Sequence, residues 1–493
     1  MVTSALALKQ EYKQNIKSEI RYTELPKEDI KWCTVSLSDV IKANKRLEAA
    51  VFDIDGKHAH EIITNCKWKS IQLPKLLKKA YYPGRFKRIY SDEINGEPFF
   101  LPSQMTEVYP KPEKFISSLT KCNISELRLK FGDILLTRSG TVGNVTIVSK
   151  TLENTIFSDD VIRITPDDDI AGFLYAYLRS KIGNTILQTN KYGSVIQHIE
   201  PEHLSDVLVP NPTDNIKKKI NDLIKKSFAL RDESNKLIDN ATALLINELK
   251  LPPINELITK RFDMNVDINN YNVKLSNLSG RLDGSYHVPI ADAINEHLEN
   301  FAAEVINVGD ERISKEIILP GRFKRVYVDK DQGRVFFGGK QLYELDPSNK
   351  KYLSISKHSA RIKAELEITE NTILITRSGT VGKVNMTPLH WEHWIASDHI
   401  IRVIPRDNSI SGYLFIFLSS DYGCNLITRY TYGSVVDEID NNHVSKIPFP
   451  LLKDANKQAE INRLALEANK LRYQAYQLEQ EAMQVMNDEV IYA

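Results

Sequence analysis

Two long stretches of this chain share a helical rhythm. Residues 213–249 contain neither Gly nor Pro. They place Ile216, Ile220, Leu223, Leu230, Leu237, Ala241 and Leu244 at alternating steps of three and four, with Ser227 and Ser234 as polar breaks. Residues 453–488 repeat the design with Ile461, Leu464, Ala468, Leu471, Ala475, Leu478, Ala482 and Val485. This spacing predicts two long amphipathic helices, each with a heptad seam. Thr213 and Asp214 are candidate N-caps, and Pro252–Pro253 end the first run. A narrow seam needs a partner of similar length, so we expect the two helices to pack on each other; separate docking of each on its own globular unit is the alternative. At 1.5 Å per residue the first would span ~55 Å.

The remaining apolar runs are short and bounded by Gly, Pro and Asn, as in DILLTRSG and VIRITPDD, a pattern of strands and turns. These runs occur twice. PGRFKRIY at Pro83 returns as PGRFKRVY at Pro320, LLTRSGTVGNV at Leu135 as LITRSGTVGKV at Leu374, and YGSV at Tyr192 as YGSV at Tyr432. The predicted fold is therefore α/β, with two tandem-repeated domains separated by two long helices that form an antiparallel coiled coil. The boundaries are an N-terminal helical segment (1–31), a first domain (32–212), a central spacer helix (213–250), a polar connector (251–270), a second domain (271–450) and a C-terminal spacer helix (451–493). The helices run antiparallel because each leaves an equivalent domain in the same way. A duplicated chain has a pseudo-twofold and suits a pseudo-twofold ligand. Duplex DNA is the commonest, and a ~55 Å strut can hold two domains one turn, ~34 Å, apart.

Composition narrows the choice. A chain of 493 residues is too long for one core and suits two domains. Its four cysteines (Cys33, Cys66, Cys122, Cys424) are scattered, which argues for a reducing compartment and against structural zinc or a disulfide framework. The N-terminus does not read as a signal peptide. The most apolar stretches, GFLYAYL and GYLFIFL, fall short of the ~20 residues of a membrane span. Net charge is +1, low for a protein that grips DNA alone. Either the positive charge is clustered on one face, or a partner supplies much of the phosphate contact.

The repeated motifs carry the candidate chemistry. The TRSGTVG loops have the wrong glycine spacing for a Walker loop, so no NTPase is expected. Their glycines suit a tight hairpin, whereas Arg138, Ser139, Arg377 and Ser378 suit phosphate or base-edge contact if exposed. PGRFKR sets three cations around an aromatic: Arg85, Lys87 and Arg88, then Arg322, Lys324 and Arg325. A lone basic run is usually a solvated surface, but recurrence of the hexapeptide favours DNA contact. Identical positions should hold phosphates and differing positions should read bases. Gln197 and His198, opposite Asp437 and Glu438, are the candidate base readers, since Gln can bond adenine and a carboxylate can accept from cytosine. Tyr192, Ser194, Tyr432 and Ser434 of the YGSV segments, and the recurring Gln104 and Gln341, complete the DNA-contact candidates. The acidic run Asp167 to Asp169 reads as a turn. The pairs His58/His60 and His390/His393 lack further ligands nearby, so no metal is expected. No Asn-Pro-Pro-Tyr motif or glycine-rich S-adenosylmethionine loop is present, so no catalytic residue is assigned.

The order GDILLTRSGTVGNV, then YGS, then EHLSDVLVPNP running into a long helix, duplicated once, resembles the specificity subunit of type I restriction-modification systems from about Trp32 to the C-terminus. That resemblance implies two target-recognition domains, each reading one half of a bipartite duplex DNA sequence. It also implies helices that set the spacing and dock two methyltransferase subunits, with Ile216, Ile220, Leu223, Leu230, Leu237, Leu244, Ile461, Leu464, Leu471 and Leu478 as the seam. Catalysis, S-adenosylmethionine, and ATP with magnesium where a restriction/translocase subunit is present, would belong to partners in a bacterial or archaeal cytoplasm. The family often shows Glu-Gln shortly before the helix; Lys457–Gln458 matches half of it, and the first copy lacks the Gln. A free-standing DNA-binding regulator, and a nuclease or transferase with an unfamiliar active site, are the alternatives. The similarity of the basic loops suggests related half-sites.

Overall fold

The computed structural model describes residues 34–42, 45, 47, 49–167, 169–189, 191–192, 197–259, 271–347 and 350–493. The expected N-terminal helical segment, Ser194 and most of the connector lie outside the described residues.

The duplication is complete at the level of strands. The first repeat holds β1 (Ser70–Gln72), β2 (Leu77–Tyr81), β3 (Tyr90–Ser91), β4 (Gly96–Phe100), β5 (Lys114–Ser117), β6 (Ile134–Thr137), β7 (Val145–Ile147), β8 (Ile156–Phe157), β9 (Val161–Pro166) and β10 (Leu208–Pro210). The second holds β11 (Glu304–Asn307), β12 (Ser314–Ile318), β13 (Tyr327–Val328), β14 (Gly333–Phe337), β15 (Lys351–Ser354), β16 (Ile373–Thr376), β17 (Val384–Met386), β18 (Ile395–Ala396), β19 (Ile400–Pro405) and β20 (Pro448–Leu451). Each repeat builds a sheet of order β2-β9-β6-β7 or β12-β19-β16-β17. A second has order β3-β5-β4-β8 or β13-β15-β14-β18, and β1-β10 or β11-β20 form a closing pair. All pairings are antiparallel except β4–β8 and β14–β18. The strands buried on both faces, β6, β9, β16 and β19, are the continuous apolar runs ILLT, VIRIT, ILIT and IIRVI. Arg163 and Arg402 interrupt these runs yet are 1% exposed. Their guanidinium groups donate to carbonyls of the surrounding loops, for example Arg163 to Val161 O at 2.8 Å and to Phe157 O at 3.0 Å. Burial lowers both, Arg163 to about 10 and Arg402 to about 9.

The two predicted helices run Asp214–Glu248 and Ala455–Val485. They pack on each other and are antiparallel, for Lys219 pairs with Glu489, Ser227 Oγ donates to Ala475 O at 2.7 Å, and Arg231 pairs with Glu479. The axis of the seam differs from the expected one. The fully buried positions include two rows, Ile220, Ser227, Ser234 and Ala241 against Ile461, Ala468, Ala475 and Ala482, each stepping by seven. Leu223, Leu230, Leu237, Leu244, Leu471 and Leu478 are half-buried flanks, as is Ile216, while Leu464 is buried. Thus Ser227 and Ser234 are the centre of the seam rather than breaks in it. Small side chains let the two backbones come close, and the hydroxyl that would otherwise be stranded finds a main-chain oxygen.

Each long helix also crosses a short buried helix of its own domain, Ala171–Arg179 or Ser411–Ser419. Gly172 and Gly412 sit at these crossings, where a Cβ would lie 2.8 Å and 2.4 Å from Asn221 O and Asn462 O. Their N–H groups donate to Asn221 Oδ1 (2.8 Å) and Asn462 Oδ1 (2.7 Å). Both expected modes of helix packing therefore coexist. Each domain core takes residues from the start of its own long helix and the end of the other: Ile220, Ile224 and Phe228 with Val485, Met486 and Ile491 in the first, Ile461, Leu464 and Ala468 with Ile238, Ala241 and Leu245 in the second. The two domains also touch directly at equivalent loops, where Glu107 and Glu344 form a β-bridge and Val108 N–H donates to Tyr343 O at 2.9 Å. Among the described residues no helix is long and apolar enough to cross a membrane.

Candidate nucleic-acid interface

Four sequence-distant loops converge in each domain. They are the PGRFKR turn between β2 and β3, the TRSGTVG hairpin between β6 and β7, the Ser158–Asp160 turn before β9, and Tyr192 with the segment Gln197–Glu200; their twins converge alike. The hairpin closes on Gly140 and Gly143 (φ +74° and +95°), or Gly379 and Gly382 (+75° and +89°). Thr137 and Thr376 hydroxyls donate across it to Thr141 O and Thr380 O at 2.6 Å. The glycines thus do serve a tight turn, as the plain reading of the motif has it. Main-chain bonds tie the hairpin to the later segment: Gly140 N to Gln197 O (3.2 Å) and Ile199 N to Arg138 O (2.9 Å), matched by Gly379 N to Asp437 O (3.2 Å) and Ile439 N to Arg377 O (2.9 Å). Tyr192 and His198 exchange two main-chain bonds, as do Tyr432 and Glu438.

This geometry divides the candidates. Arg138 is buried, bonds Glu200, lies 3.3 Å from Asp160 and stacks its guanidinium over Tyr82 at 4.3 Å. Arg377 is buried against Glu438, whose other oxygen pairs with the exposed Arg322 at 2.9 Å. Arg88 pairs with buried Asp159 and Arg325 with buried Asp398. Arg88 and Arg325, expected on phosphates, and Arg138 and Arg377, expected on phosphates or base edges if exposed, are all ion-paired and bolt the loops together. Gln104 and Gln341 are not brought to the cluster as free side chains either. Gln104 is 2% exposed, accepts from Leu101 N at 3.0 Å and donates to Lys111 O at 2.6 Å, while Gln341 accepts from Gly338 N at 3.3 Å. Both cap turns. Ser378 Oγ is held by His399 Nδ1 at 2.7 Å; Ser139, at the same place in its hairpin, is half-buried. Tyr192 donates its hydroxyl to Glu200 and Glu438 is doubly bridged, which removes their polar atoms from easy reach. His198 is half-buried, and its Nδ1 is buried with no partner among the described residues.

What remains exposed on each cluster is a short list of side chains. Arg85, Lys87, Arg322 and Lys324 are exposed cations, of which Arg322 pairs with Glu438; Gln197 and Asp437 are exposed at equivalent positions of the two clusters, and Tyr432 and Ser434 stand out on the second loop beside Val435, which is 94% exposed. The residues that sequence reasoning missed are the acidic partners Glu200, Asp159 and Asp398. A signal existed: SDD at Ser158 and SDH at Ser397 precede the repeated strands VIRIT and IIRVI. Their role was hidden because each partner arginine lies at least 60 residues away, as with Arg138 and Glu200, 62 apart. Burial works against the Glu200 carboxylate, but hydrogen bonds from Arg138 and Tyr192 outweigh it and hold the group below the ordinary glutamate range. Asp398 is likewise held low, burial being outweighed by Arg325.

Among the described residues no three His, Cys, Asp or Glu side chains are grouped as metal ligands. His390 stacks on Tyr476 with ring centroids 4.0 Å apart and is pushed down to about 4 by burial, and His393 bonds Glu367. Of the acidic run, Asp169 pairs with Lys225 and Asp168 lies outside the described residues.

The model of the family described as type I restriction modification DNA specificity domain matches residues 68–241 and 327–464. No curated protein matches the chain in sequence. Among solved structures, the S subunit of a type I restriction-modification system from M. genitalium is 14% identical, with 87% of this chain and 96% of that chain covered and a TM-score of 0.26. The HsdS subunit from Thermoanaerobacter tengcongensis is 13% identical, with 86% and 96% covered and a TM-score of 0.26. With one matched segment in each repeat, and more than half of its length matched, this chain belongs to the type I restriction-modification DNA specificity family.

Proposed function

We propose that the chain is the non-catalytic specificity subunit of a type I methyltransferase or restriction complex, reading a bipartite duplex target with one half-site per domain. The observation that carries this reading is the pair of loop clusters, alike in backbone and in their buried arginine–carboxylate bolts but different at the exposed Gln197 and Asp437. A shared scaffold with different tips suits two related readers of different bases. Arg85, Lys87 and Lys324 contact phosphates, and Gln197 and Asp437 face base edges, where an amide can bond adenine and a carboxylate can accept from cytosine. The antiparallel helices fix the distance between half-sites, and their half-buried flanks, Leu230, Leu471 and Leu478, dock two methyltransferase subunits. S-adenosylmethionine, and ATP with magnesium where a restriction subunit is present, are bound by those partners. The net charge of +1 favours this division, because partners then supply much of the phosphate contact.

The test is to map methylated bases in the host genome with and without this gene. Loss of one bipartite motif on deletion is expected, and complementation with Gln197→Ala should change one half-site only. Combined Arg85→Ala and Lys87→Ala substitution should weaken binding of the assembled complex to all sequences alike and flatten its salt dependence. An unchanged methylome on deletion overturns the reading in favour of a free-standing DNA-binding protein.

A further inference from the structure

The two halves part company at one buried place. Asn221 and Asn462 anchor equivalent helix crossings, and from them a constant offset of 241 residues matches Arg231 with Arg472 and Ile238 with Glu479. On the short helices, Tyr175 matches Phe415 and Arg179 matches Ser419. Around Arg231 the set is complete. Glu479, 1% exposed, pairs with Arg231, receives Arg179 Nε at 2.8 Å and accepts the Tyr175 hydroxyl at 2.6 Å. Around Arg472 the twin positions are Ile238, Phe415 and Ser419, and none of them can supply an anion.

Arg472 is nonetheless 7% exposed. Its Nη1 reaches Asn385 Oδ1 only at 3.4 Å, its buried Nε has no partner among the described residues, and no carboxylate there lies within ion-pair distance. A buried guanidinium left in this state is costly, and burial pulls it down to about 10. Where the first half is filled by the Arg179 side chain, the second has a cavity of about 290 Å³ bordered by Ile238, Met386, Trp391, Phe415 and Arg472. The other charged groups on its wall are engaged or peripheral. Lys383 pairs with Glu113 at 2.8 Å and Glu107 at 3.9 Å, Tyr109 donates to Asp239, Lys111 donates to Ser419 O at 3.0 Å, Glu344 lies in the field of Arg179, and Asp421 is exposed at the rim.

We propose that this cavity is a binding site for a small organic monocarboxylate. Its carboxylate takes against Arg472 the place that Glu479 takes against Arg231, and its apolar body lies on Ile238, Phe415 and Trp391. The volume is at the small end for ligand sites, and the acidic groups on the wall disfavour a polyanion. Because both long helices and the loops of both domains border the cavity, occupancy stiffens the junction between the domains.

The experiment is calorimetric titration and thermal melting of the full chain with benzoate and hexanoate, against the neutral isosteres benzamide and hexanamide. The expected result is saturable binding of at least one carboxylate and a higher melting temperature, with no effect of the amides. Arg472→Met should weaken that binding at least about tenfold. Ile238→Glu restores the missing carboxylate from within. It should melt above Ile238→Gln and no longer bind the probe. Carboxylates that act no differently from amides, or that bind Arg472→Met as tightly as the parent, overturn the proposal. If Arg472→Met does not fold, the Ile238 pair decides: a glutamate no more stable than glutamine, with probe binding intact, also overturns it. No part of this test involves DNA, so it stands apart from the functional reading above.

Discussion

Glu479 sits where four segments meet, and its loss would be felt by all of them. Its carboxylate neutralises Arg179 and Arg231 and accepts from Tyr175. Burial opposes its charge, but the two arginines win and hold it well below the ordinary range. Glu479→Gln leaves the half-buried Arg231 without an ion-pair partner among the described residues and leaves Arg179 only Asp346 at 3.6 Å, so a loss of about 3 kcal/mol is expected in urea melts, against much less for an exposed pair such as Lys150–Glu153. Glu200 plays the same role for the first loop cluster, with a consequence for pH. Because its folded value is depressed, its stabilisation is present above the unfolded value of about 4.5 and is lost as pH falls through the lower folded value. The protection factors of the Gly140 and Ile199 amides, that is their exchange corrected for its intrinsic pH dependence, should fall in that acid window. Glu200→Gln should lower them already at neutral pH, and protection factors in the parent that stay constant through the acid window would refute the assignment.

At the scale of elements, the helix pair is set by small residues. Ser227 and Ala475 are both fully buried and in main-chain contact through the Ser227 hydroxyl. Ser227→Leu, although it improves the apolar heptad on paper, should overpack the seam and cost about 1–3 kcal/mol, read as a lower melting temperature. An increase would mean that the axes can part freely. The heptad rhythm was legible in the sequence, and so were the helices and their direction. The centre of the seam was not, because a period of seven fits the leucine rows and the Ser/Ala rows equally well. Only the approach distance of the two backbones chooses between them. The strands were legible as short apolar runs, but Arg163 and Arg402 looked like surface residues until the loop carbonyls that receive them were in place.

For the whole molecule, the contact between the domains is expected to respond to pH. Glu107 and Glu344 meet at the bridge between the domains, where burial pushes both up to about 7. Lys383 pulls Glu107 down while Glu113 and Glu344 push it up; Arg179 pulls Glu344 down while Asp346 pushes it up. In both, burial wins. A raised folded value means the junction is most stable below about pH 4.5 and loses that stability as pH rises through about 7. Protease cleavage between the domains should therefore be faster at pH 8 than at pH 6, and Glu107→Gln with Glu344→Gln should flatten the difference. An equal rate at both pH values in the parent would count against it.

The sequence alone determined the duplication, the α/β character, the two long helices and the family, because these rest on repeats and on periodicities that survive without knowledge of any contact. Tertiary structure alone decided which charges are free. Arg88, Arg138, Arg325 and Arg377 belong to repeated basic motifs, but their acids come from other loops, and an ion pair closed over sixty or more residues leaves no local trace. The same holds in reverse for Arg472. In sequence it is the twin of Arg231, and only the packing of Ile238, Ser419 and Phe415 around it reveals that its carboxylate is missing.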